Sequence, residues 1–399
     1  MNGPPPVPDD DVFCVLPWVH VNGTVDGVWG RCCVDSSAYY DELYKPGEEP
    51  PFTLRPDALG CLTRSRYAPA NPERVFGIES VFNSPNLRKT RLSMLAGERV
   101  PACSYCYRRE EGGGQSYRQS INAEFSERMD VAGLVARTEP DGTLPGEFPV
   151  YLDIRFGNTC NLRCIMCGYP VSSRWGLDKH PSWARAHIDP YRDDEQLWAE
   201  LRAHATQLNR IYFAGGEPFM LPGHFRLLDL LIETGAAAGI DVSYNSNLTM
   251  LPDGIFDRLA CFRSAAIGAS CDGTGEVFER IRVGASWDDF VRNVRIARDH
   301  VKLWLQVAPQ RDNILHIAQI VDFAVAERVG VDLTNFVHWP AELSVPNLSP
   351  EVKEQAVRHL ADLAASCRDR GLPDLAVQVD RLTHFTRTDP GQASDNGTT

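Results

Sequence analysis

The chain has 399 residues, 43% of them hydrophobic and 9% aromatic, enough to bury a large core and to divide into two units. A formal net charge of -13 leaves no basic surface from which counterions would be released, which excludes nucleic acid as a general electrostatic partner. No apolar run is long enough to span a bilayer, and the opening residues MNGPPPVPDDDVF lack a basic and apolar signal. A cytoplasmic protein with no membrane partner is therefore expected. In that reducing compartment twelve cysteines, most in close groups, point to metal or redox work rather than to disulfides.

Residues 1–13 are rich in Pro and Asp and are expected to form a disordered tail. Residues 14–130 are rich in Pro, Gly, Cys and Tyr and read as loop-rich, apart from a helix over Pro85 to Ala96 capped by Ser84. Val19 to Gly30 reads as a hairpin turning at Asp26 and Gly27, with Cys14 before it and Cys32 and Cys33 at its end. Cys103 and Cys106 follow. Cys14, one of the adjacent pair, Cys103 and Cys106 make a four-thiolate set suited to zinc or to a fully ligated 4Fe-4S cluster, with Cys32 chosen over Cys33. Glu110, Gly113, Ser116 and Arg118 lie in a Gly-rich stretch, where Glu110 and Arg118 are candidates to meet a polar substrate; solvated loop charges are the alternative.

Residues 131–149, with Glu-Pro-Asp-Gly and Pro-Gly, read as a linker. Strands then alternate with helices over residues 150–340. Val150, Leu152, Ile154 and Phe156 share one face of the first strand and Tyr151, Asp153 and Arg155 the other. Further strands are predicted at Arg210–Ala214, Ile240–Tyr244, Ala265–Ser270, Lys302–Ala308 and Val331–Val337. The alternation predicts an α/β fold with a parallel sheet and right-handed crossovers, and a partial (β/α)6 TIM-like barrel is favoured over a flat doubly wound sheet. Residues 341–387 read as a helical extension, with a helix near Ser349 to Arg370, and 388–399 as a second disordered tail.

The loop after the first barrel strand carries Cys160, Cys164 and Cys167. Three thiolates so spaced suit three irons of a cubane cluster, leaving one iron open; a structural zinc wants a fourth ligand that is not nearby. Gly215, Gly216, Glu217 and Pro218 end the second strand, where glycines let the backbone approach a ligand and a carboxylate accepts from an ammonium. Asn245, Ser246 and Asn247 follow the third strand, and Ser270, Cys271, Asp272 and Gly273 the fourth, placing small polar groups on the same rim. Cys61, Cys261 and Cys367 are isolated and expected to be buried small hydrophobes.

On these motifs the chain resembles the radical S-adenosylmethionine (radical SAM) enzymes. The resemblance implies that Cys160, Cys164 and Cys167 hold a 4Fe-4S cluster whose fourth iron is chelated by the methionine amine and carboxylate. An electron then cleaves the sulfonium to a 5′-deoxyadenosyl radical. It implies that Met166 packs on the adenine, that Gly215 to Pro218 contact the methionine amine, and that Asn245, Ser246, Asn247, Ser270, Asp272 and Arg282 meet the remainder of the cofactor. Core packing for Met166 and a solvated surface position for Arg282 are the alternatives. The amino-terminal half resembles a twitch-type auxiliary-cluster domain, here placed before the barrel. Cys271 on the rim is a candidate hydrogen-atom donor, as an epimerase requires, with burial in the core as the alternative.

The expected activity is hydrogen abstraction from a polar small molecule, a sugar or aminocyclitol, with oxidation through the auxiliary cluster. That substrate class rests on the lack of a leader-peptide module before the cluster domain. A peptide-modifying epimerase or crosslinking enzyme is the alternative, and a non-enzymatic metal-binding protein the third. The electron would come from a donor such as flavodoxin or ferredoxin.

Overall fold

The computed structural model describes residues 11–25, 27–34, 60–61, 77–111, 114–168, 171–175 and 187–388, with 60–61 as backbone only. Asp26, Gly113 and the side chain of Cys61 lie outside the described residues, as do the ends 1–10 and 389–399. The chain packs as two compact units. The first takes in Met1–Gly157, Ile188–Tyr212 and Arg226–Ile240, and the second Asn158–His187, Phe213–Phe225 and Asp241–Thr399.

In the first unit β1 (His20–Gly23) and β2 (Val28–Gly30) form the predicted hairpin, and β3 (Gly60–Cys61) extends it. The strand β1 also pairs in parallel with β4 (Tyr151–Ile154), with His20 opposite Tyr151 and Gly23 opposite Ile154. The amino-terminal segment thus contributes a strand to the same sheet as the first predicted barrel strand. The order runs β3, β2, β1, β4 and then β6 (Arg210–Phe213). Both faces of β4 are buried, as expected of a strand covered on each side.

The half expected to be loop-rich carries helices Gly77–Phe82, Pro85–Leu95, Ser104–Glu111 and Tyr117–Arg128. Ser84 stands at the N-cap of the second of these, but its side chain makes no capping bond; Pro85 at the first helical position sets the start instead. Ser116 and Gln119 form a full capping box for Tyr117–Arg128. Arg91 is fully buried and, among the described residues, has no acidic partner. Its Nε donates to the Pro17 carbonyl at 2.8 Å, Nη1 to Gly142 O at 3.0 Å and Asn83 Oδ1 at 3.1 Å, and Nη2 to Phe82 O at 2.6 Å. Val12 and Phe13, placed by sequence in the tail, are buried, and so are Leu134, Val135, Leu144 and Phe148 of the stretch read as a linker.

In the second unit β7 (Asp241–Ser246), β8 (Ser264–Ser270), β10 (Lys302–Gln306) and β11 (Gly330–Asp332) lie in that order, and every adjacent pair is parallel. Val242, Tyr244 and Ser246 alternate inward along β7, the period-two pattern that predicted the strand. A separate antiparallel pair joins β5 (Arg163–Cys164) to β9 (Arg282–Val283). The fold is α/β with mostly parallel strands and intervening helices, the class of a partial TIM-like barrel, and neither strand order closes on itself. The predicted helix near residue 350 runs Pro350–Asp369, with Ser349 as its N-cap, and packs on a further helix, Pro373–Arg387; Leu360 and Leu363 of the first and Val379 and Leu382 of the second are buried. Cys367 is buried there as expected, whereas Cys261 is exposed.

Candidate cluster and cofactor site

The cysteine loop is held by its own backbone and by two serines. Ser173 N donates to Asn158 O at 2.8 Å, Ser172 Oγ to Leu162 O at 2.6 Å, and Trp175 Nε1 to Cys164 O at 3.0 Å. Leu162, fully buried, plugs the loop into the core. The short β5 sets Cys164 directly opposite Arg282 of β9, and side chains directly opposite in an antiparallel pair share a face. Donors accordingly reach the sulfurs: Leu162 N lies 3.4 Å and Asn247 Nδ2 3.8 Å from Cys160 Sγ, and Arg282 Nη1 lies 3.8 Å from Cys164 Sγ. The Cys167 thiol hydrogen-bonds to Cys164, and with the Arg282 charge this holds Cys164 below its ordinary value against burial. Burial pushes Cys160 up to about 12.

Gly216 is where the second strand end meets this loop. A Cβ there would lie 2.2 Å from Thr159 O and 2.7 Å from the carbonyl carbon of Asn158. Glu217 N donates to the same Thr159 O at 2.7 Å. The glycine therefore serves a close approach to the cysteine loop itself. Gly215 has φ of 117°, a region that favours glycine.

The Glu217 carboxylate is 1% exposed and engaged within the chain. Its Oε1 accepts from Ser246 Oγ at 2.7 Å and Phe219 N at 3.2 Å, and its Oε2 from Asn247 N at 2.7 Å. Burial raises it to about 7 against those bonds. Among the described residues Oε2 accepts a single bond, which leaves it one acceptor position. Asn247 also bonds Asn161 Oδ1 at 2.8 Å and accepts from Thr249 Oγ1 at 2.7 Å, while Asn161 Nδ2 donates to Thr249 Oγ1 at 2.9 Å. Asn161 and Thr249 were not singled out from sequence; their polarity beside the motifs is the only local sign. Leu248 between them takes φ of 49°, a conformation that costs a branched residue energy and is held by Asn293 donating to its carbonyl at 3.0 Å.

Asp272 and Arg282 form a buried ion pair at 2.6 Å, and Asp272 Oδ1 also accepts from Ala308 N at 2.7 Å. Burial opposes the charge on Arg282, but Asp272 and the three cysteines Cys164, Cys167 and Cys271 together hold its pKa above the ordinary value. Cys271 is fully buried, its thiol directed at the Gly273 carbonyl at 3.3 Å and pushed up to about 12 by burial. Met166, Asn245 and Ser270 are half-buried on the same unit. Cys160, Cys164, Cys167, Glu217, Ser246, Asn247, Asp272 and Arg282 are thus joined in one neighbourhood by contacts within the second unit.

The amino-terminal cysteines lie in the first unit. Cys14 and Cys106 are buried beside Arg118 and Glu110, and burial pushes Cys14 up to about 12. Cys33 is likewise pushed up to about 12 by burial, and the charge of Cys106 reaches it as well as Cys14. Glu110 and Arg118 are clasped to one another: Arg118 Nε donates to Glu110 Oε1 at 3.0 Å and Nη2 to Oε2 at 2.6 Å, while Nη1 holds the Phe13 carbonyl at 2.6 Å. Arg118 is 2% exposed, so it braces the segment leading into Cys14. Among the described residues, no three His, Cys, Asp or Glu side chains gather as ligands of a single metal ion. The fit at Cys160, Cys164 and Cys167 is to a cluster, whose sulfurs take N–H donors of the kind found here.

Residues 154–324 match the family model described as the Radical SAM superfamily. These residues form a radical SAM domain. It is an enzyme's domain, one that uses a 4Fe-4S cluster and S-adenosylmethionine. No curated protein matches the chain. Among solved structures the chain is similar to anSMEcpe with bound AdoMet, at 18% identity and a TM-score of 0.44, covering 56% of this chain and 63% of that one. It is also similar to SuiB of Streptococcus suis bound to the precursor peptide SuiA, at 15% identity and a TM-score of 0.39, covering 67% and 60%. A third is the methyltransferase TsrM of Kitasatospora setae with cobalamin and a [4Fe-4S] cluster bound, at 16% identity, a TM-score of 0.33 and coverage of 45% and 36%. The chain thus spans less than two thirds of the length of each of these three proteins.

Proposed function

We propose that this enzyme reductively cleaves S-adenosylmethionine at a cluster held by Cys160, Cys164 and Cys167 and abstracts hydrogen from a polar substrate, a small molecule or a peptide. The observation that carries the reading is the cysteine loop with three N–H donors within 3.8 Å of its sulfurs. When bound, the cluster and S-adenosylmethionine supply an electron and a hydrogen-abstracting carbon radical. The free acceptor position of Glu217 receives the methionine amine, and the Asn161, Asn247 and Thr249 ring holds the loop that carries Cys160. Met166, Asn245 and Ser270 line the remainder of the cofactor's place.

Cys14, Cys32, Cys103 and Cys106, with Cys33 as the alternative to Cys32, would hold a second 4Fe-4S centre that takes the second electron of a substrate oxidation, with a flavodoxin or ferredoxin feeding the first. Cys32 and Cys33 are both half-buried, and either can supply the fourth thiolate. A structural zinc is the other occupant that four thiolates suit. The test is iron and sulfide content after anaerobic reconstitution of a variant with Cys160, Cys164 and Cys167 all changed to Ala. About four irons remaining establish the second centre. Essentially none would leave the amino-terminal half with zinc or no metal and remove the route for oxidation. Cleavage of S-adenosylmethionine persisting in the same variant would sink the whole reading.

A further inference from the structure

The resemblance by itself assigns Arg282 and Asp272 to the cofactor, but the geometry points to another task, and this inference rests on the cluster proposed above. We infer that Arg282, anchored by Asp272, is a positioning residue that hydrogen-bonds the Cys164 sulfur and raises the reduction potential of the cluster that Cys160, Cys164 and Cys167 hold. Three observations carry it. The antiparallel pairing of β5 with β9 places Arg282 opposite Cys164 by backbone register, so the contact is built into the main chain. Its Nη1 lies 3.8 Å from Cys164 Sγ and Nη2 is bound to Asp272 at 2.6 Å, so both terminal nitrogens are engaged, while Nε is buried without a partner among the described residues. Asp272 is fully buried and its other oxygen is fixed by Ala308 N at 2.7 Å, which leaves it little freedom to turn toward a cofactor hydroxyl.

The chemistry follows from charge. Reduction adds one negative charge to a cluster, and a cation hydrogen-bonded to a ligating sulfur stabilises the reduced form more than the oxidised one. A guanidinium buried beside the sulfur acts at low local dielectric, where the interaction is stronger than in water. Asp272 offsets part of this charge. Its carboxylate lies on the guanidinium's far nitrogen, so the arginine's near nitrogen is the pole that faces the sulfur. Asn247 Nδ2 and Leu162 N add neutral donors on Cys160.

The experiment is a mediated dithionite titration of the reconstituted full chain, followed by electron paramagnetic resonance, for the wild type, Arg282→Gln and Arg282→Lys. The signal that changes when S-adenosylmethionine is added identifies the cluster concerned. Iron content and the S-adenosylmethionine Kd are measured on the same samples. Arg282→Gln is expected to make reduction about tenfold less favourable, a fall of ~59 mV for one electron, with Kd within about threefold of wild type. Arg282→Lys, which keeps the charge but loses the fork, is expected to fall in between. An unmoved potential together with a Kd weakened tenfold or more would make Arg282 a cofactor contact and overturn the inference. If Arg282→Gln fails to hold iron, Arg282→Lys decides: a lowered potential supports the inference and an unchanged one rejects it. A wild type with no signal responsive to S-adenosylmethionine would overturn the proposed function, and this inference with it.

Discussion

Gly216→Ala is the sharpest local perturbation of the site. The new Cβ would meet Thr159 O at 2.2 Å and the carbonyl carbons of Asn158 and Thr159 at 2.7 Å. All three are backbone atoms of the segment that leads into Cys160, so no side chain can rotate away. The two loops must part by about 1 Å, and the 2.7 Å bond from Glu217 N to Thr159 O lies across the same gap. Overpacking costs about 1–3 kcal/mol and the lost hydrogen bond adds about 1 kcal/mol. A total of roughly 2–4 kcal/mol lowers Tm by roughly 4–16 °C for a unit of this size. The assay is calorimetry of the unreconstituted protein, with iron content after reconstitution on a parallel sample. Iron at Cys160 should fall with Tm, because the clash acts on that cysteine's own loop. Gly239→Ala is the control, since nothing lies within 4 Å of a Cβ there, and it should be neutral or slightly stabilising. A Gly216→Ala protein with wild-type Tm and full iron content would refute the close-approach argument.

Arg91→Met removes the donor from the carbonyls of Pro17, Phe82 and Gly142 and from Asn83, leaving buried acceptors unsatisfied. A loss of roughly 3–5 kcal/mol in urea unfolding is expected, and a change under 1 kcal/mol would contradict the bracing role. Stability should also depend on pH through His20 and His224, each lowered by burial from 6.5 to about 3. The folded chain keeps both neutral while the unfolded chain takes up protons below about pH 6.5, so stability falls as pH drops from there toward 3. Each contributes a slope of about 1.4 kcal/mol per pH unit within that window. Urea midpoints at pH 7 and pH 5 test this, and His224→Gln should reduce the difference; an equal difference in that variant would count against it.

The chemistry of this protein was legible in the sequence where it is local. Cys160, Cys164 and Cys167 stand on one loop, so their spacing alone suits a cluster, and Gly215 to Pro218 are recognisable as a contiguous strand end. Alternation located β7 because a half-buried strand repeats every two residues, whereas β4 was found by its residue pattern although both its faces are buried. The helix Tyr117–Arg128 was not predicted, although Ser116 and Gln119 spelled its capping box. Tertiary structure alone decided what depends on partners distant in sequence. The parallel pairing of β1 with β4 joins residues more than a hundred apart, and no local pattern encodes a strand's non-local partner. The same holds for Arg118, a candidate substrate contact by sequence, whose fork is closed on Glu110 and the Phe13 carbonyl. Arg282 is the clearest case. Its charge was visible in the sequence, but only an antiparallel ladder across 118 residues turns that charge onto the sulfur of Cys164.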